Sequence, residues 1–373
     1  MAQCIRALLV SATIITTSAC GAAPELYHSE QARFRLQTVA SGLEHPWSLA
    51  FLPDGSQLVT ERAGRLRLIR DGQLTATPIA GLPELVVSGQ GGLLDVVLHP
   101  DFADNHLLFL SYAHENDDGL TTRVSRARLE GARLVDSEVI FEALPRSGTS
   151  RHFAGRMAFD DDGLLYVAVG DRGDRPRAQD LGDDAGGVHR ITIHGDPAPG
   201  NPFRDQARAR DTFYTYGNRN IQGMTRHPLS GDIWTHEHGP RGGDEVNILS
   251  PGTNYGWPEI TYGIGYSGLA ITDKTELPGM AQPLHYWDPS IAPSGMAFYT
   301  GTEVPGWQGD LFVGALKLQK LVRLTIRDGQ VVNEEDLITE FGRRIRDVRM
   351  GPDGVLWLLT DEGNGEVVRL VPE

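Results

Sequence analysis

The sequence contains very little cysteine. Its 373 residues include only Cys4 and Cys20, both within the first twenty positions. If this segment is removed, no thiol remains, which excludes thiol catalysis, cysteine-bound zinc and disulfide bonds in the rest of the chain. The hydrophobic core must then stabilise the fold, and about 350 residues are enough to bury a sizeable core.

Basic side chains are also scarce. The chain carries 34 Lys and Arg against 49 Asp and Glu, a formal net charge of −15. Proteins that bind nucleic acid neutralise phosphates with clustered Lys and Arg, so this balance argues against a nucleic-acid partner.

Several catalytic motifs are missing. No Gly-Lys-Ser/Thr phosphate loop, no Gly-x-Gly-x-x-Gly that opens a helix and no Gly-x-Ser-x-Gly elbow occurs. His236 and His238 are too close in sequence for the helical zinc motif, in which the two histidines are four residues apart. The run Asp160 to Gly163 lacks the alternation of a calcium loop and is typical of a hairpin turn.

The first residues are typical of an export signal. Arg6 lies beside an apolar run from Ile5 to Ile15, and small residues follow up to Cys20. The run is too short to span a membrane, and the alternative is a buried N-terminal strand. We predict a signal peptide over residues 1–20 and a periplasmic protein. Cys20 would carry the lipid anchor of an outer-membrane lipoprotein, or cleavage around Ala19 to Ala23 would leave no anchor.

One turn pattern recurs six times after residue 34. Each copy is an apolar run, a turn rich in Pro, Asp or Gly, and a second apolar run, as in Ala50-Phe-Leu-Pro-Asp-Gly55 followed by Leu58 and Val59. The copies are anchored at Gly55, Asn105, Gly163, Gly231, Gly309 and Gly354. Each is typical of a β-hairpin, because Asp-Gly supplies the positive φ that a tight turn needs.

Repeated hairpins must pack on one another to bury their apolar faces. A period of about 40 to 50 residues is typical of propeller blades. The sequence therefore predicts an all-β, six-bladed β-propeller as one domain over residues 34–373, with long loops that form the active-site face. A sandwich or barrel with coincidental turns is the alternative.

Polar residues are concentrated among the glycines of the predicted loops. We expect a pocket for a polyanion, since several cations fall at equivalent strand ends in an otherwise acidic chain. These cations are Arg172, Arg219, Lys317, Arg344 and Arg346.

In the order of its short motifs, the chain resembles the soluble quinoprotein sugar dehydrogenases of the glucose/sorbosone dehydrogenase family, over about Gly42 to Leu370. The motifs are Leu43-Glu-His-Pro-Trp47, Gly89-Gln-Gly-Gly92, His152-x-x-Gly-Arg156, Gly217-x-Arg-Asn220, Glu237-x-Gly-Pro240, Gly243-Asp-Glu245, Asn254-Tyr-Gly-Trp-Pro258 and Arg344-x-Arg-Asp347. The resemblance implies a six-bladed propeller that oxidises the C1 hydroxyl of an aldose to the lactone with pyrroloquinoline quinone (PQQ) and calcium.

The resemblance also implies roles for individual residues. His152 would be the general base, Asp171 would orient it, and Arg219 would stabilise charge at the quinone oxygens. Trp287 would form a wall for the substrate. The expected cofactor contacts are Gln90, Arg219, Asn220, Tyr266, Ala315, Leu316, Lys317, Arg344, Ile345 and Arg346. The expected calcium ligands are the Gly239 and Pro240 carbonyls at the cofactor, with Glu245 and the Tyr255 carbonyl at a second position.

Some properties stay open at this stage. The loops over Gly268 to Pro283 are compact, so we expect a broad aldose range that extends to disaccharides rather than strict glucose specificity. The electron acceptor is not identified, and the protein is a monomer or a homodimer. Two other functions compete: a calcium-dependent propeller hydrolase such as a lactonase, and a non-catalytic propeller that binds a sugar or a protein.

Overall fold

The structure is a computed structural model that describes residues 25–373. The predicted signal peptide, with Cys4 and Cys20, lies outside these residues. Within them, we find no helix that is long and apolar enough to cross a membrane.

The described chain forms six antiparallel sheets, or blades. It begins with β1 (Leu26–His28) and β2 (Arg33–Leu43). Blade one contains β3 (Pro46–Phe51), β4 (Gln57–Glu61), β5 (Arg65–Arg70) and β6 (Gln73–Leu74). Blade two contains β7 (Leu93–Leu98), β8 (Leu107–Asn116), β9 (Gly119–Glu130) and β10 (Arg133–Glu142). Blade three contains β11 (Met157–Phe159), β12 (Leu165–Val169), β13 (Gly187–Ile191) and β14 (Phe213–Tyr216).

The second half of the chain completes the ring. Blade four contains β15 (Ile221–Arg226), β16 (Ile233–Glu237), β17 (Asp244–Ile248) and β18 (His285–Trp287). Blade five contains β19 (Pro293–Phe298), β20 (Leu311–Ala315), β21 (Leu321–Arg327) and β22 (Gln330–Leu337). Blade six contains β23 (Ile345–Met350), β24 (Leu356–Thr360) and β25 (Gly365–Pro372). The short helical segments are α1 (Phe102–Asn105) and the 3-10 turns Arg175–Gln179, Pro305–Trp307 and Thr339–Phe341.

The first strand of each blade lies on the central axis, and we call these six the inner strands: β3, β7, β11, β15, β19 and β23. Each inner strand contacts the inner strands of both neighbouring blades, and β23 contacts β3, so the ring is closed. The prediction of a six-bladed β-propeller is therefore confirmed.

The six repeated turns all lie between the first and second strands of a blade. Gly55, Gly163, Gly231, Gly309 and Gly354 have φ between +72° and +85° in these turns, as the hairpin prediction requires. The turn of blade two has no glycine, and there the chain forms α1 and places His106 at φ +56°. The repeated sequence pattern thus marks the same structural position in every blade, the turn between its first two strands.

The ends of the described chain meet in blade six. There β2 pairs with β25, from Phe34 opposite Pro372 to Leu43 opposite Gly365, and β1 adds an outer strand. Strand β1 begins at Leu26, ahead of residue 34, the predicted start of the domain. An N-terminal strand therefore completes the last blade and ties the first part of the chain to the last.

Apolar side chains fill the spaces between blades. Each pair of neighbouring blades shares its own buried cluster, as with Leu58 and Leu110 between blades one and two, or Phe312 and Leu358 between blades five and six. The core of the propeller is thus divided into six wedges, because each sheet is covered on both faces by its neighbours.

The inner strands bend where they approach one end of the axis. Five of the six have a register shift near their first residues: between Pro46 and Ser48, Leu93 and Val96, Ile221 and Gly223, Pro293 and Met296, and Ile345 and Asp347. A bulge leaves a residue without a cross-strand partner and redirects its side chain. Trp47, Leu94, Gln222 and Arg346 lie in four of these bulges and line the same cleft.

A buried network of charged side chains fills the axis beneath this cleft. The guanidinium of Arg156 lies 3.0 Å from Asp347 and 3.6 Å from Asp95, and 4.0 Å above the ring of Trp47. Arg349 pairs with the same two carboxylates at 2.8 and 3.0 Å. Two positive and two negative charges are therefore balanced largely out of contact with water.

The same network connects blades. Asp347 of blade six accepts a hydrogen bond from the Leu49 amide of blade one, at 3.0 Å. Asp95 of blade two accepts from the Met157 amide of blade three, at 2.9 Å. Arg156 donates to the Gln222 carbonyl of blade four at 2.7 Å and to the Arg346 carbonyl of blade six at 3.2 Å.

We expect Asp347→Ala to lower the free energy of unfolding by about 3 to 5 kcal/mol, because it leaves Arg156 and Arg349 with too little negative charge in a buried site. Denaturant unfolding measures this loss. The matched control is Glu138→Ala, which removes an exposed pair with Arg126 and should cost less than about 1 kcal/mol. Equal losses in the two variants would contradict the role of the network.

Candidate active site

The cleft at the end of the axis has a volume of about 640 Å³. Its floor is formed by the bulge residues of the inner strands. Its walls come from the loops that precede these strands and from the loops that follow the second strands of the blades. Because every blade contributes at least one lining residue, the site exists only in the closed ring.

Cations form one wall of the cleft. Lys317 follows β20, Arg344 precedes β23 and Arg346 lies in its bulge, and all three line the cavity. Both arginines bind Oδ2 of Asp361, at 3.1 and 2.6 Å. Although burial would raise the pKa of this carboxyl, Arg346, His45 and Arg344 hold it well below its usual range. Three cations thus face the cleft with one buried carboxylate among them.

The two predicted polar groups His152 and Asp171 are brought together on the opposite side. Nδ1 of His152 lies 2.6 Å from Oδ1 of Asp171. The histidine is nearly buried, with 11% of its side chain exposed, and the next two residues, Phe153 and Ala154, line the cleft. Since Nδ1 is occupied by the carboxylate, Nε2 is the ring nitrogen left for a substrate proton.

The backbone around His152 is strained. His152 and Ala154 both have φ +54°, in the left-handed region that residues with a side chain seldom adopt. Two side chains hold them: the His152 amide donates to Oε1 of Gln90 at 2.7 Å, and the Ala154 amide donates to Oδ1 of Asn220 at 3.2 Å. Gly170 is needed nearby, because a Cβ there would collide with the His152 carbonyl. Such strain is common at functional sites.

The environment sets the protonation of this pair. Burial lowers the pKa of His152, an effect that Asp171 opposes and the positive Arg219 and Arg151 reinforce. Burial would raise the pKa of Asp171, but hydrogen bonds from His152 and Gly173 and the charge of Arg219 keep it below its ordinary value. The imidazole is therefore neutral and the carboxylate charged near pH 7, the state required of a general base.

Arg219 lies between the cleft and a second, smaller cavity. Its guanidinium donates to the carbonyls of His238 and Gly239 at 2.9 and 3.1 Å, and its amide donates to Glu237. The cation is buried, and its side chain binds no carboxylate of the described residues. Asn220, the next residue, lines the cleft.

The smaller cavity contains two carboxylates on neighbouring strands. Glu237 on β16 is directly opposite Glu245 on β17, and both line a space of about 10 Å³ together with Tyr255 and Thr261. Burial raises the pKa of Glu237 to about 7. Burial and the charge of Glu237 raise the pKa of Glu245 well above its usual value. The space is about the size of one water molecule or small ion.

A third cavity, of about 440 Å³, adjoins the cleft and shares His238, Ala292 and Lys317 with it. Gly239 and Pro240 line this cavity, as does Tyr266, which is 71% exposed. In the described residues, no group of three or more His, Cys, Asp or Glu side chains is arranged to hold a metal. Carbonyl oxygens would therefore have to supply part of any metal site here.

Two expectations from the sequence need correction. Trp287 does not line the cleft: it is 5% exposed, packs in the apolar cluster between blades four and five, and donates to Glu334 at 3.1 Å. Arg172 does not belong to the cationic wall either, since its guanidinium lies 3.6 Å from the Phe153 ring, on a buried side chain. Both residues are turned inward because apolar partners cover them.

The predicted backbone contacts are near the cleft. Leu316 lines it, and its carbonyl accepts a hydrogen bond from Arg344 at 3.2 Å. Ala315 and Ile345 are fully buried strand residues directly beside Leu316 and Arg346. Whether their backbone touches a cofactor stays a prediction.

The chain matches the sequence profile described as glucose/sorbosone dehydrogenase over residues 43–369. It is 44% identical to the aldose sugar dehydrogenase YliI of Escherichia coli over 365 residues, which cover 96% of each protein. The chain belongs to the glucose/sorbosone dehydrogenase family.

Solved structures agree with this membership of the glucose/sorbosone dehydrogenase family. The apo soluble aldose sugar dehydrogenase of Escherichia coli superposes with a TM-score of 0.89 at 43% identity, covering 91% of this chain and all of that one. The PQQ-bound aldose sugar dehydrogenase of Streptomyces coelicolor superposes with a TM-score of 0.75 at 29% identity, covering 94% of this chain and all of that one.

Sequence reasoning missed several residues of this family member's site. Asp361 has no distinctive spacing, and His45 stands out only as part of the first motif. Nδ1 of His45 lies 3.0 Å from Oδ1 of Asp361, where blade six contacts the loop before β3. Trp257 was noticed only as part of a motif, yet its indole donates to Oδ2 of Asp171 at 2.8 Å. Gln222 offered one signal, its place just after Arg219 and Asn220.

We expect Asp171→Asn to lower the pKa of His152 further, because the substitution removes the negative charge that favours the imidazolium ion. Titration of isotope-labelled histidine by NMR measures this in the protein without additions. Asp174→Asn removes an exposed acid three residues away and should leave the titration unchanged. A His152 pKa that stayed constant or rose in Asp171→Asn would show that the carboxylate does not govern the ring.

Proposed function

We propose that this family member oxidises the C1 hydroxyl of aldose sugars to the lactone, with PQQ as cofactor, His152 as general base and Ca²⁺ as a second cofactor. The observation that carries the proposal is the geometry of the cleft: a cationic wall lies opposite a buried, neutral histidine paired with a carboxylate. In the proposed reaction the wall would bind the cofactor and the histidine would take the proton of the sugar hydroxyl.

The cationic wall fits the proposed cofactor. PQQ carries three carboxylates, and Lys317, Arg344 and Arg346 would bind them, with the planar guanidinium groups suited to bidentate pairing. Asp361 offsets only part of this positive charge, so the site favours an anion. Bound in the cleft, the quinone would supply a two-electron hydride acceptor for the sugar carbon.

The residues of this chain would perform the remaining work. Nε2 of His152 would take the proton from the C1 hydroxyl, while Asp171 holds Nδ1 and stabilises the imidazolium that forms. Arg219 and Asn220 would donate hydrogen bonds where negative charge grows. Gln90 would keep the strained His152 backbone in place through its bond to the amide.

Calcium would complete the site. The Gly239 and Pro240 carbonyls are oxygen ligands of the kind that Ca²⁺ prefers, and the ion would add positive charge beside Arg219. The small cavity at Glu245 and the Tyr255 carbonyl would hold a second ion, which fits two facing carboxylates that form no ion pair with a side chain of the described residues. Tyr266 would lie at the outer edge of the site.

The proposed location follows from the sequence alone. An exported enzyme would oxidise sugars in the periplasm and pass electrons to an acceptor there, with or without a lipid anchor at Cys20.

We expect purified apoprotein to reduce a redox dye with glucose or another aldose only after PQQ and Ca²⁺ are added. His152→Ala should lower kcat by about a hundredfold or more, because general base catalysis contributes that much. The control His194→Ala changes a surface histidine bound to Arg126 and should keep full activity. Activity without PQQ, or an active His152→Ala variant, would overturn the proposed chemistry.

We expect Arg346→Gln to weaken PQQ binding to the apoprotein by about tenfold or more, since it removes one partner of a buried charge pair. Fluorescence titration measures the Kd without turnover. Arg369→Gln is the matched control, because Arg369 pairs with Asp353 away from the residues that line the cleft and its loss should change the Kd less than about threefold. Equal effects would mean that the wall does not recognise the cofactor.

A further inference from the structure

Trp257 is a buried residue that has no role in the sugar oxidation proposed above. It is 6% exposed and does not line the cleft. Its indole Nε1 lies 2.8 Å from Oδ2 of Asp171, while Oδ1 of the same carboxylate binds His152 at 2.6 Å and the Gly173 amide at 2.7 Å. The indole is thus the side-chain donor on the carboxylate oxygen turned away from the histidine.

The loop around Trp257 is anchored on both sides. Gln179 and Asn254 exchange two side-chain hydrogen bonds, at 3.0 and 2.7 Å. Gln179 also donates to the Trp257 carbonyl at 2.7 Å, and the Trp257 amide donates to the Gly217 carbonyl at 2.9 Å. The indole therefore occupies a fixed place, because the loops of blades three and four are joined beneath it.

A carboxylate held through one oxygen can still rotate about its own bond. Donors on both oxygens remove that freedom, so Oδ1 stays directed at Nδ1 of His152 and Nε2 stays directed away from Asp171. Small errors in such geometry reduce the rate of a proton transfer strongly.

We propose that Trp257 is a positioning residue, whose indole N–H fixes the Asp171 carboxylate and through it the imidazole of His152. The inference rests on the proposed function only for its effect on catalysis. Its structural part concerns the protein without cofactor or sugar.

Other charged groups also face this pair. Arg219 and Arg175 lie 5.5 and 5.8 Å from the Trp257 ring. Arg151, Arg172 and His238 interact electrostatically with His152 or Asp171. Glu237 and Glu245 line the small cavity that Trp257 also lines. All the arginines are positive whether or not Trp257 donates, so its N–H can be removed without altering their charge.

Trp257→Phe removes this N–H and keeps an aromatic ring beside Arg219. Oδ2 of Asp171 would then be buried without the indole donor, so the carboxylate would attract the His152 proton more strongly. The pKa of His152 should rise, and the acid limb of the kcat/KM profile should move to higher pH. In the loaded enzyme kcat should fall by about tenfold or more, as expected for a hydrogen bond to a charged group, with little change in KM.

The chain offers a matched control. Trp307 is 1% exposed, and its Nε1 has no hydrogen-bond partner in the described residues. Trp307→Phe therefore removes an indole N–H from the core without breaking a bond, and it should leave the His152 titration and the pH profile unchanged. NMR titration of labelled histidine in the apoprotein and steady-state rates in the loaded enzyme provide the two readouts.

The two readouts separate two kinds of failure. If His152 titrates identically in Trp257→Phe and the unmodified protein, the positioning role is wrong, whatever the enzyme does. It is equally wrong if Trp307→Phe moves the titration by the same amount. If the titration shifts as expected but no aldose is oxidised by the unmodified protein, the proposed function fails and the positioning role stands.

A measurement on the unmodified protein avoids the question of whether a variant folds. The indole N–H signal of Trp257 should shift in the NMR spectrum as His152 is protonated, because both groups bind the same carboxylate. The Trp307 indole signal should stay constant over the same pH range. A Trp257 signal that is insensitive to this titration would overturn the proposal.

Discussion

The ion network around Arg156 is the constraint on which the rest of the structure depends. Charges in a low-dielectric interior are costly unless each has its partner, and here the partners come from different blades. Arg156 precedes blade three, Asp95 belongs to blade two, and Asp347 and Arg349 belong to blade six. No single blade satisfies all four charges, so the network favours the complete ring over partly assembled forms.

The active-site cleft uses the same contacts. Arg156 donates to the carbonyls of Gln222 and Arg346, two bulge residues whose side chains reach the cleft. The backbone of these bulges is therefore held by the ion network on the axis, and their side chains face the cavity. On the far side, the strained backbone at His152 and Ala154 is held by Gln90 and Asn220. A site with such fixed groups requires little rearrangement when charge develops.

The sequence allowed the general architecture to be predicted because hairpin turns are local. Asp-Gly turns determine their own φ angles, and their repetition indicated the number of blades. The turn of blade two is the exception. It contains no glycine, and the chain forms a short helix at the equivalent position. The part played by β2 in blade six was not predicted, since strand pairing over more than 300 residues leaves no local signal.

Candidate site residues were predictable where chemistry demands a residue type. Cations for a polyanion and a histidine beside an acid were named from sequence and resemblance, and the structure brings Lys317, Arg344 and Arg346 onto one wall and His152 against Asp171. Trp287 was misplaced because the sequence shows an aromatic residue in a loop-rich segment but not which face it turns. Asp361 and Trp257 were missed because their importance comes only from what they contact.

The amino-acid sequence by itself therefore determined the repeat, the number of blades, the acidic body and the types of group available for chemistry. These properties depend on composition and on neighbours along the chain. Tertiary structure alone decided which polar groups share a cleft, which are buried against apolar side chains, and which carboxylate receives a second donor. Those outcomes depend on the closure of six blades around charges whose partners lie in different blades.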